Sequence, residues 1–387
     1  MSLFEPAGHA HPPARTPRQP HPTDQRLRTR ARQEDPMSIQ TSGLHHVTAI
    51  GGDPQRNVDF YLRALGLRLV KTTVNFDDPG TYHLYYGDEA GRPGTLMTFF
   101  PWRGAPRGRH GTGQATTTSF SVPAASIGWW KQHLERLGVE VSRISSRAHE
   151  DALTFHDPDG LVLSLVSHEQ DDPREPWDNG VIPVEHGIRG LHSVTLSVTQ
   201  EEATAGMLVD GLGLRFVDQQ GNRFRFEAGA GGPGALVDVL VTPDAPRGLV
   251  AAGTVHHVAW RAPDEATQAQ WREELTDRGV SVTSILDRQY FRSIYFREPG
   301  GTLLEVATDE PGFAIDEPLL ELGRALKLPP WLEPDREQIQ AMLPALDLPD
   351  ENNPEFAEQR RSPQPAAATQ TSAAQVSGSA ATEARSA

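Results

Sequence analysis

Apolar and polar residues alternate in short runs from about residue 44, and one helical stretch interrupts them in a fixed order. The segment LHHVTAI, starting at Leu44, predicts a strand. A Gly-Gly-Asp-Pro turn follows, in which Asp53 can cap a helix that carries apolar residues at helical spacing and ends at Gly66. LRLVKTTVNF, TYHLYYGD and GTLMTFFPW then predict three strands separated by turn residues. The pattern therefore predicts a βαβββ module.

This module occurs four times, and internal repeats restrict the architecture more than any single motif does. Modules 1 and 3 align without a gap, residues 45–70 on residues 192–217, with LHHVT opposite LHSVT and GLRLV opposite GLRFV. Modules 2 and 4 align equally well, with Trp130 on Trp271. We therefore predict an α+β protein of four βαβββ modules.

A stretch of turn and charged residues, 169–189, separates the first two modules from the last two. It predicts a linker between two tandem domains, residues 43–168 with modules 1 and 2, and residues 190–312 with modules 3 and 4. Residues 313–348 contain Pro-Pro-Trp-Leu and a short helix near residues 337–342. We expect this extension to pack over the last domain.

Both ends of the chain lack apolar periodicity. Residues 1–42 are rich in proline and arginine and cannot bury enough surface to offset the entropy of ordering, so we expect a disordered tail. Met37 is favoured as the natural start, because the first strand begins a few residues later. Residues 349–387 are rich in Ala, Ser, Thr and Gln and predict a flexible tail.

Composition excludes several classes of partner. The chain has 387 residues and a net charge of −15, so an extended nucleic-acid surface is not expected. It has no cysteine, which excludes disulfides and thiolate metal sites. No apolar run approaches the roughly 20 residues that span a bilayer. These features predict a soluble cytoplasmic protein that binds neither nucleic acid nor membrane and that is a possible homo-oligomer.

The repeats also point to a metal site. The equivalent position in the first strand of modules 1 to 4 holds His46, Thr117, Ser193 and His257, and that in the last strand holds Thr98, Ser164, Asp238 and Glu305. If modules 1 and 4 form one barrel, its interior carries His46, His257 and Glu305 beside a non-ligating Thr98. Two imidazoles and one carboxylate with open positions suit non-haem Fe(II) in oxygen chemistry.

Two ambiguities belong to this ligand set. Pairing module 3 with module 4 would instead assemble Asp238, His257 and Glu305, but it would leave His46 unused and supply one imidazole. Neighbouring residues on a strand point to opposite faces, so one histidine of each His-His pair faces the interior. The alignment selects the second histidine, and a bulge would reverse that choice.

The modules and their two-His-one-Glu set resemble the vicinal oxygen chelate (VOC) superfamily, also called the glyoxalase/bleomycin-resistance/dioxygenase fold. LHHVT, YHLYYGD, PGTLMTFFPW, IPVEHGIRGLHSVTL, TVHHVAW, YFRSIYFREPGG and LPPWLEP are similar, more narrowly, to its ring-cleaving dioxygenases that open hydroquinones. The resemblance implies an aromatic substrate, O2 and Fe(II), with Mn(II) as the second candidate metal, held by His46, His257 and Glu305. It also places five residues around the substrate: His45, Thr48, His256, Arg288 and Tyr295.

The chemistry of a hydroquinone is consistent with such residues. Its hydroxyls are para to each other, so one oxygen reaches the metal and other contacts must hold the ring. Arg288 carries a permanent charge that suits an anionic intermediate, and Tyr295 can donate to a bound oxygen. Thr48 lies two residues after His46, so a regular strand points both inward. Arg147 is the counterpart of Arg288 in module 2, which leaves a structural role for the arginine open.

Three other functions compete with hydroquinone cleavage. An extradiol catechol dioxygenase would use the same ligand set. A glyoxalase-like isomerase or lyase more often uses four protein ligands, and Thr98 leaves the fourth place vacant. A metal-free protein that sequesters a drug would not need two histidines and a glutamate inside the barrel.

Overall fold

The computed structural model describes residues 39–348 except 148, 149, 171 and 179. Within these residues, sixteen strands form two sheets of eight. Modules 1 and 2 contribute β1 Leu44–Gly51, β2 Arg68–Asn75, β3 Asp78–Gly87, β4 Leu96–Pro101, β5 Gln114–Pro123, β6 Ser145–Arg147, β7 Glu150–His156 and β8 Val162–His168. Modules 3 and 4 contribute β9 Gly190–Val198, β10 Arg215–Gln220, β11 Arg223–Glu227, β12 Leu236–Val241, β13 Thr254–Ala262, β14 Leu286–Asp287, β15 Phe291–Arg297 and β16 Leu303–Pro311.

One helix follows the first strand of each module, as predicted. The helices are α1 Pro54–Asp59, α2 Ile127–Arg136, α3 Glu202–Gly206 and α4 Glu265–Asp277, and α5 Arg336–Met342 lies in the extension. Helices α1 and α3 continue as π-helical turns, Phe60–Ala64 and Met207–Gly211. The Asp53 side chain accepts a 3.0 Å hydrogen bond from the backbone N–H of Arg56, so it caps α1 as the sequence predicts. No described helix is long and apolar enough to cross a membrane.

Each sheet combines one module from each half of the chain. The first sheet has the order β14-β15-β16-β13-β1-β4-β3-β2, and the second has β10-β11-β12-β9-β5-β8-β7-β6. Strands β1 and β13 pair antiparallel, and so do β5 and β9. The predicted pairing of module 1 with module 4 is therefore confirmed, and modules 2 and 3 share the other sheet.

The two sheets have the same register at their centres. The matched antiparallel pairs are Thr48–His257 with Thr195–Thr117, and His46–Ala259 with Ser193–Ser119. The matched parallel pairs are Ala259–Glu305 with Ser119–Ser164, and Thr48–Thr98 with Thr195–Asp238. The structure therefore has the equivalences that the sequence repeats predict.

The helices of modules 2 and 4 are fixed to the core by equivalent tryptophans. Trp130 in α2 and Trp271 in α4 are fully buried. The indole N–H of Trp130 donates to the carbonyl of His186, and that of Trp271 to the carbonyl of Gly211, each at 2.8 Å. Each indole thus adds a large apolar area to the core while its polar atom keeps a partner.

The folded part of the chain extends beyond the predicted boundary at residue 42. Ile39 is buried, and the Thr41 hydroxyl donates to the carbonyl of Arg261 at 2.9 Å. Residues 39–42 thus pack against modules 3 and 4 and do not belong to a disordered tail. The predictions for Met37, for the rest of the N-terminal tail and for residues 349–387 lie outside the described residues.

The extension packs mainly on module 1, whereas the sequence predicts that it packs over the last domain. Its residues contact β2 and β3: Asp316 and Glu317 reach Lys71, the Gly323 carbonyl accepts from Thr72, and the Pro344 carbonyl accepts from Tyr82. The physical reason is the sheet order, which brings β16 and the module 1 strands into one barrel. A chain leaving β16 therefore reaches module 1 directly.

Candidate metal centre

Three buried side chains from three adjacent strands of the first sheet meet in one place. His46 is on β1, His257 on β13 and Glu305 on β16. The Nε2 atom of His46 lies 3.3 Å from Nε2 of His257 and 3.3 Å from Oε2 of Glu305. The Nε2 atom of His257 lies 2.9 Å from the same oxygen. No other three His, Cys, Asp or Glu side chains of the described residues converge in this way.

Strand register explains why these side chains meet although His46 and His257 lie 211 residues apart in sequence. Strand β13 lies between β1 and β16, and Ala259 pairs with both His46 and Glu305. The β1–β13 pairing is irregular just before His46 and just after Thr48. The second histidine of each His-His pair nevertheless points to the cluster, as the alignment predicts.

The cluster fits a divalent metal ion. Ser293 donates to Oε1 of Glu305, whereas Oε2 is buried and has no hydrogen bond of acceptable geometry from any described residue. Burial alone raises the pKa of Glu305, but His46 and His257 outweigh it and hold the pKa well below its usual range. A buried carboxylate oxygen that faces two imidazole nitrogens has the donor chemistry of a metal site.

A neighbouring histidine, His45, fixes the tautomer of His46, the candidate ligand on β1. His45 Nε2 lies 3.1 Å from the carbonyl oxygen of Thr308, which can only accept, so this nitrogen carries the proton. Burial lowers the pKa of His45 to about 3, so the ring is neutral and its Nδ1 accepts from Nδ1 of His46 at 2.9 Å. In a neutral His46 the remaining Nε2 lone pair therefore faces the cluster, ready for a metal.

The second ligand histidine has an analogous neighbour. His256 Nδ1 lies 2.7 Å from Nδ1 of His257. Burial, with a contribution from His257, lowers the pKa of His256 to about 3, and burial also lowers the pKa of His257. Neutral imidazoles are the form that binds metals, so the electrostatics of the site favour a metal over protons.

The cluster opens into a cavity of about 350 Å³. Its wall includes three of the residues that the sequence places around the substrate: His256, Arg288 and Tyr295. The other two, His45 and Thr48, are buried and do not line the cavity. Aromatic side chains supply much of the rest: Phe76, Tyr85, Phe100, Trp102 and Phe291.

Arg288 and Tyr295 stand together on the module 4 side of the cavity. The guanidinium carbon of Arg288 lies 5.4 Å from the centre of the Tyr295 ring. Arg288 also donates to Asp77 of module 1 at 2.9 Å, so it spans the two modules across the cavity. Burial and the charge of Glu305 raise the pKa of Tyr295, which keeps its hydroxyl protonated at neutral pH.

Known proteins have the same fold, and some of them are similar to this chain in sequence. A model of the Glyoxalase/Bleomycin resistance protein/Dioxygenase superfamily matches residues 43–165 and 190–306. The chain belongs to this superfamily. Glyoxalase I from Zea mays, at 13% identity and a TM-score of 0.53 over 69% of this chain and 92% of that one, shares the fold alone.

Closer relatives in the superfamily bear dioxygenase names. MhqO of Bacillus subtilis (strain 168), provisionally named a ring-cleaving dioxygenase, is 46% identical over 80% of this chain and 98% of its own length. A chlorohydroquinone/hydroquinone 1,2-dioxygenase of Sphingobium indicum is 36% identical over 78% of this chain and 95% of its own. A solved Bacillus subtilis structure, provisionally described as a dioxygenase, has 44% identity and a TM-score of 0.77, covering 80% of this chain and 99% of that one.

Sequence reasoning missed two polar residues of the cavity wall, His83 and Tyr85 on β3. The Tyr85 hydroxyl lies 2.8 Å from Nδ1 of His83, and Nε2 of His83 lies 3.0 Å from the Thr98 hydroxyl. Thr98 in turn lies 2.7 Å from the Thr48 hydroxyl. The predicted vacant position at Thr98 is thus part of a hydrogen-bonded chain. Comparing the third strands of the modules would have matched Tyr85 to Tyr295, because Tyr85 pairs with Thr98 as Tyr295 pairs with Glu305.

The second sheet holds ion pairs at the corresponding place. Asp238, the counterpart of Thr98, accepts from Arg225 at 2.9 and 3.1 Å and from Arg223 at 3.1 Å. Arg225 also donates to both carboxylate oxygens of Glu150, at 2.8 and 2.9 Å. These guanidinium groups supply the positive charge that a metal would otherwise bring to the buried carboxylates.

Proposed function

We propose that this protein is an Fe(II)-dependent ring-cleaving dioxygenase that inserts O2 into hydroquinone-type aromatic rings. The observation that carries the proposal is the cluster of two imidazoles and one carboxylate at the end of an aromatic-lined cavity. This chain matches nearly the whole length of relatives that are named as ring-cleaving and hydroquinone dioxygenases. That similarity supports the same reaction class.

His46, His257 and Glu305 would hold the metal, with Mn(II) as the second candidate. When bound, Fe(II) supplies the redox chemistry that allows O2 to react with an aromatic ring. The neighbouring histidines, His45 and His256, orient the two ligand rings through their Nδ1 contacts. The ligand set leaves the cavity side of the centre free of protein ligands among the described residues.

The cavity wall suits an aromatic substrate with developing negative charge. Phe100, Phe291 and Trp102 offer apolar faces against which a ring can pack. Arg288 places a permanent positive charge at the wall, where it can stabilise an anion. Tyr295 keeps its proton and can donate it to an oxygen of the substrate or of O2.

The test is anaerobic reconstitution with Fe(II), followed by oxygen uptake with unsubstituted hydroquinone, catechol and a thiol adduct of an oxoaldehyde. We expect oxygen consumption and ring opening with hydroquinone. Faster cleavage of catechol would make the protein an extradiol dioxygenase. Isomerisation of the thiol adduct without oxygen uptake would refute the dioxygenase and support a glyoxalase-like activity. Reconstitution with Mn(II) in parallel identifies the metal that supports turnover.

A further inference from the structure

His83 and Tyr85 form a hydrogen-bonded pair on the module 1 wall of the cavity. They are two residues apart on β3, so both side chains point to the same face of the sheet. Their rings lie 4.0 Å apart between centroids. Phe291 packs against both Tyr85 and the ligand His46, at centroid distances of 6.5 and 5.2 Å. The pair therefore borders the same space as the proposed metal.

The hydrogen bonds determine which atom of the pair is open to a ligand. Among the described residues, the Tyr85 hydroxyl has one hydrogen-bond partner, Nδ1 of His83. We assign Nε2 of His83 as the donor to the Thr98 hydroxyl, and in that tautomer Nδ1 can only accept. Tyr85 therefore donates to Nδ1, and His83 donates from Nε2 to Thr98. This direction leaves the lone pairs of the Tyr85 oxygen free to accept.

The second sheet shows what the same positions hold where no metal site exists among the described residues. Tyr85 pairs with Thr98 across β3 and β4, and Arg225 pairs with Asp238 across β11 and β12. In that sheet the arginine is fully engaged by carboxylates. In the first sheet the neutral pair of His83 and Tyr85 occupies these positions. The Tyr85 oxygen can there accept a hydrogen bond from a molecule in the aromatic-lined cavity. The difference indicates that Tyr85 serves to bind a molecule in the cavity and is not required by the fold.

We propose that Tyr85, oriented by His83, accepts a hydrogen bond from the hydroxyl of the para-hydroquinone that does not bind the metal. This inference rests on the proposed function and adds a specificity-determining residue to it. Tyr85 contacts the substrate, and His83 is a positioning residue that acts through Tyr85. The module 1 wall then recognises the second hydroxyl, while Arg288 and Tyr295 act from the module 4 wall.

The experiment compares two probes on anaerobic Fe(II)-loaded protein by calorimetry, hydroquinone and its monomethyl ether, 4-methoxyphenol. The ether keeps one hydroxyl for the metal but cannot donate from its other oxygen. Tyr85→Phe should weaken hydroquinone binding roughly 2- to 12-fold and leave the ether unchanged, because it removes one net hydrogen bond. Tyr290→Phe is the matched control, since the Tyr290 hydroxyl donates to Asp316 and does not line the cavity.

His83 variants test positioning separately. His83→Phe removes the acceptor of the Tyr85 proton and should reduce discrimination between the two probes. His83→Gln retains an acceptor and should restore part of that discrimination, which a purely steric role would not do. Iron content and melting temperature, measured for every variant, verify that the centre and the fold are intact.

Equal changes for both probes in Tyr85→Phe, or no change in either, would overturn the inference. If the wild type consumes no oxygen with hydroquinone but still prefers it to the ether through Tyr85, the dioxygenase proposal fails and the hydroxyl-binding pair remains. If the wild type turns over hydroquinone and Tyr85→Phe behaves like Tyr290→Phe, the pair fails and the dioxygenase proposal remains.

Discussion

Single residues around the centre determine which atoms are available to bind a metal. A buried carbonyl, that of Thr308, fixes the proton of His45, and His45 fixes that of His46. Ser293 occupies one oxygen of Glu305 and leaves the other facing the imidazoles. The candidate ligand atoms of His46 and Glu305 are thus selected by neighbours outside the proposed triad.

Replacement of a ligand should remove the metal and leave the fold. His46→Ala, His257→Ala and Glu305→Ala are each expected to lose iron and activity, because the core is built by other residues. Iron per chain and circular dichroism provide the measurements. Asp238→Ala is the control and should retain its iron. Full iron occupancy in His46→Ala would contradict the ligand assignment.

Tyr295→Phe should affect turnover more than metal binding. The variant keeps the ring that packs near His257, with centroids 5.5 Å apart, but loses the hydroxyl. Removal of a positioned acid or base lowers rates by roughly 10²–10⁴-fold. We therefore expect a fall in kcat of this size at unchanged iron content. A loss of iron in proportion to activity would show that Tyr295 is structural.

The metal-free protein should lose stability as the pH falls below about 6.5. In the folded protein the pKa values of His45 and His256 are lowered to about 3. Between pH 6.5 and pH 3 these histidines are therefore protonated in the unfolded chain and neutral in the native state. Each contributes about 1.4 kcal/mol of unfolding free energy per pH unit between 6.5 and 3. Urea unfolding at pH 5.5 and 4.5, inside this range, measures the slope. His45→Gln should reduce that slope by one proton, and an unchanged slope would refute the shift.

Residue identities were predictable from sequence only where repeats could be compared. His46, His257 and Glu305 stand out because modules 2 and 3 hold small or different residues at the same positions. The tautomer chain through Thr308 was not predictable, because it depends on a backbone carbonyl 263 residues from His45. His83 and Tyr85 were missed since YHLYYGD fits an ordinary buried strand equally well.

At the scale of elements, two sheets of the same design hold different chemical groups at their centres. The central strands share a register, yet one barrel places imidazoles there and the other places hydroxyls and an arginine–carboxylate network. The pairing of module 1 with module 4 followed from sequence because the ligand types required it. The packing of the extension did not, since nothing in its pattern shows which strands lie next to the end of β16.

The second barrel should bind no catalytic metal and should depend on its ion pairs. Arg225→Ala leaves Asp238 and Glu150 with fewer positive partners, although Arg223 remains beside Asp238. Removing one member of a buried pair costs up to about 3–5 kcal/mol. We expect a lower urea midpoint at an unchanged one iron per chain. In crystals soaked with Mn(II), metal density at Asp238 of the unaltered protein would refute a metal-free second barrel.

At the scale of the whole molecule, the extension that follows module 4 is joined to module 1. Lys71 on β2 is fully buried and reaches Asp316 at 2.6 Å, Glu317, and the carbonyl of Phe313 at 3.1 Å. Its ammonium also lies 4.8 Å from the centre of the Tyr290 ring. One cation thus connects module 1, module 4 and the extension.

Lys71→Met should loosen the extension selectively. It leaves two carboxylates without their shared cation, at a cost of about 3–5 kcal/mol for a buried pair. Amide hydrogen exchange should therefore accelerate in residues 313–323 more than in the central strands. Lys131→Met is the control, because its pair with Glu135 is exposed and should change little. Uniform acceleration throughout the protein would contradict a local role.

The adjacency of β1 and β13 also has a consequence during synthesis. The first ligand leaves the ribosome early, but its partners His257 and Glu305 emerge only after more than 200 further residues. A polypeptide released before residue 257 contains a single member of the proposed triad, and one released before residue 305 lacks its carboxylate, so neither can complete this centre. For the proposed enzyme, assembly of the metal centre therefore requires a chain that extends at least to Glu305.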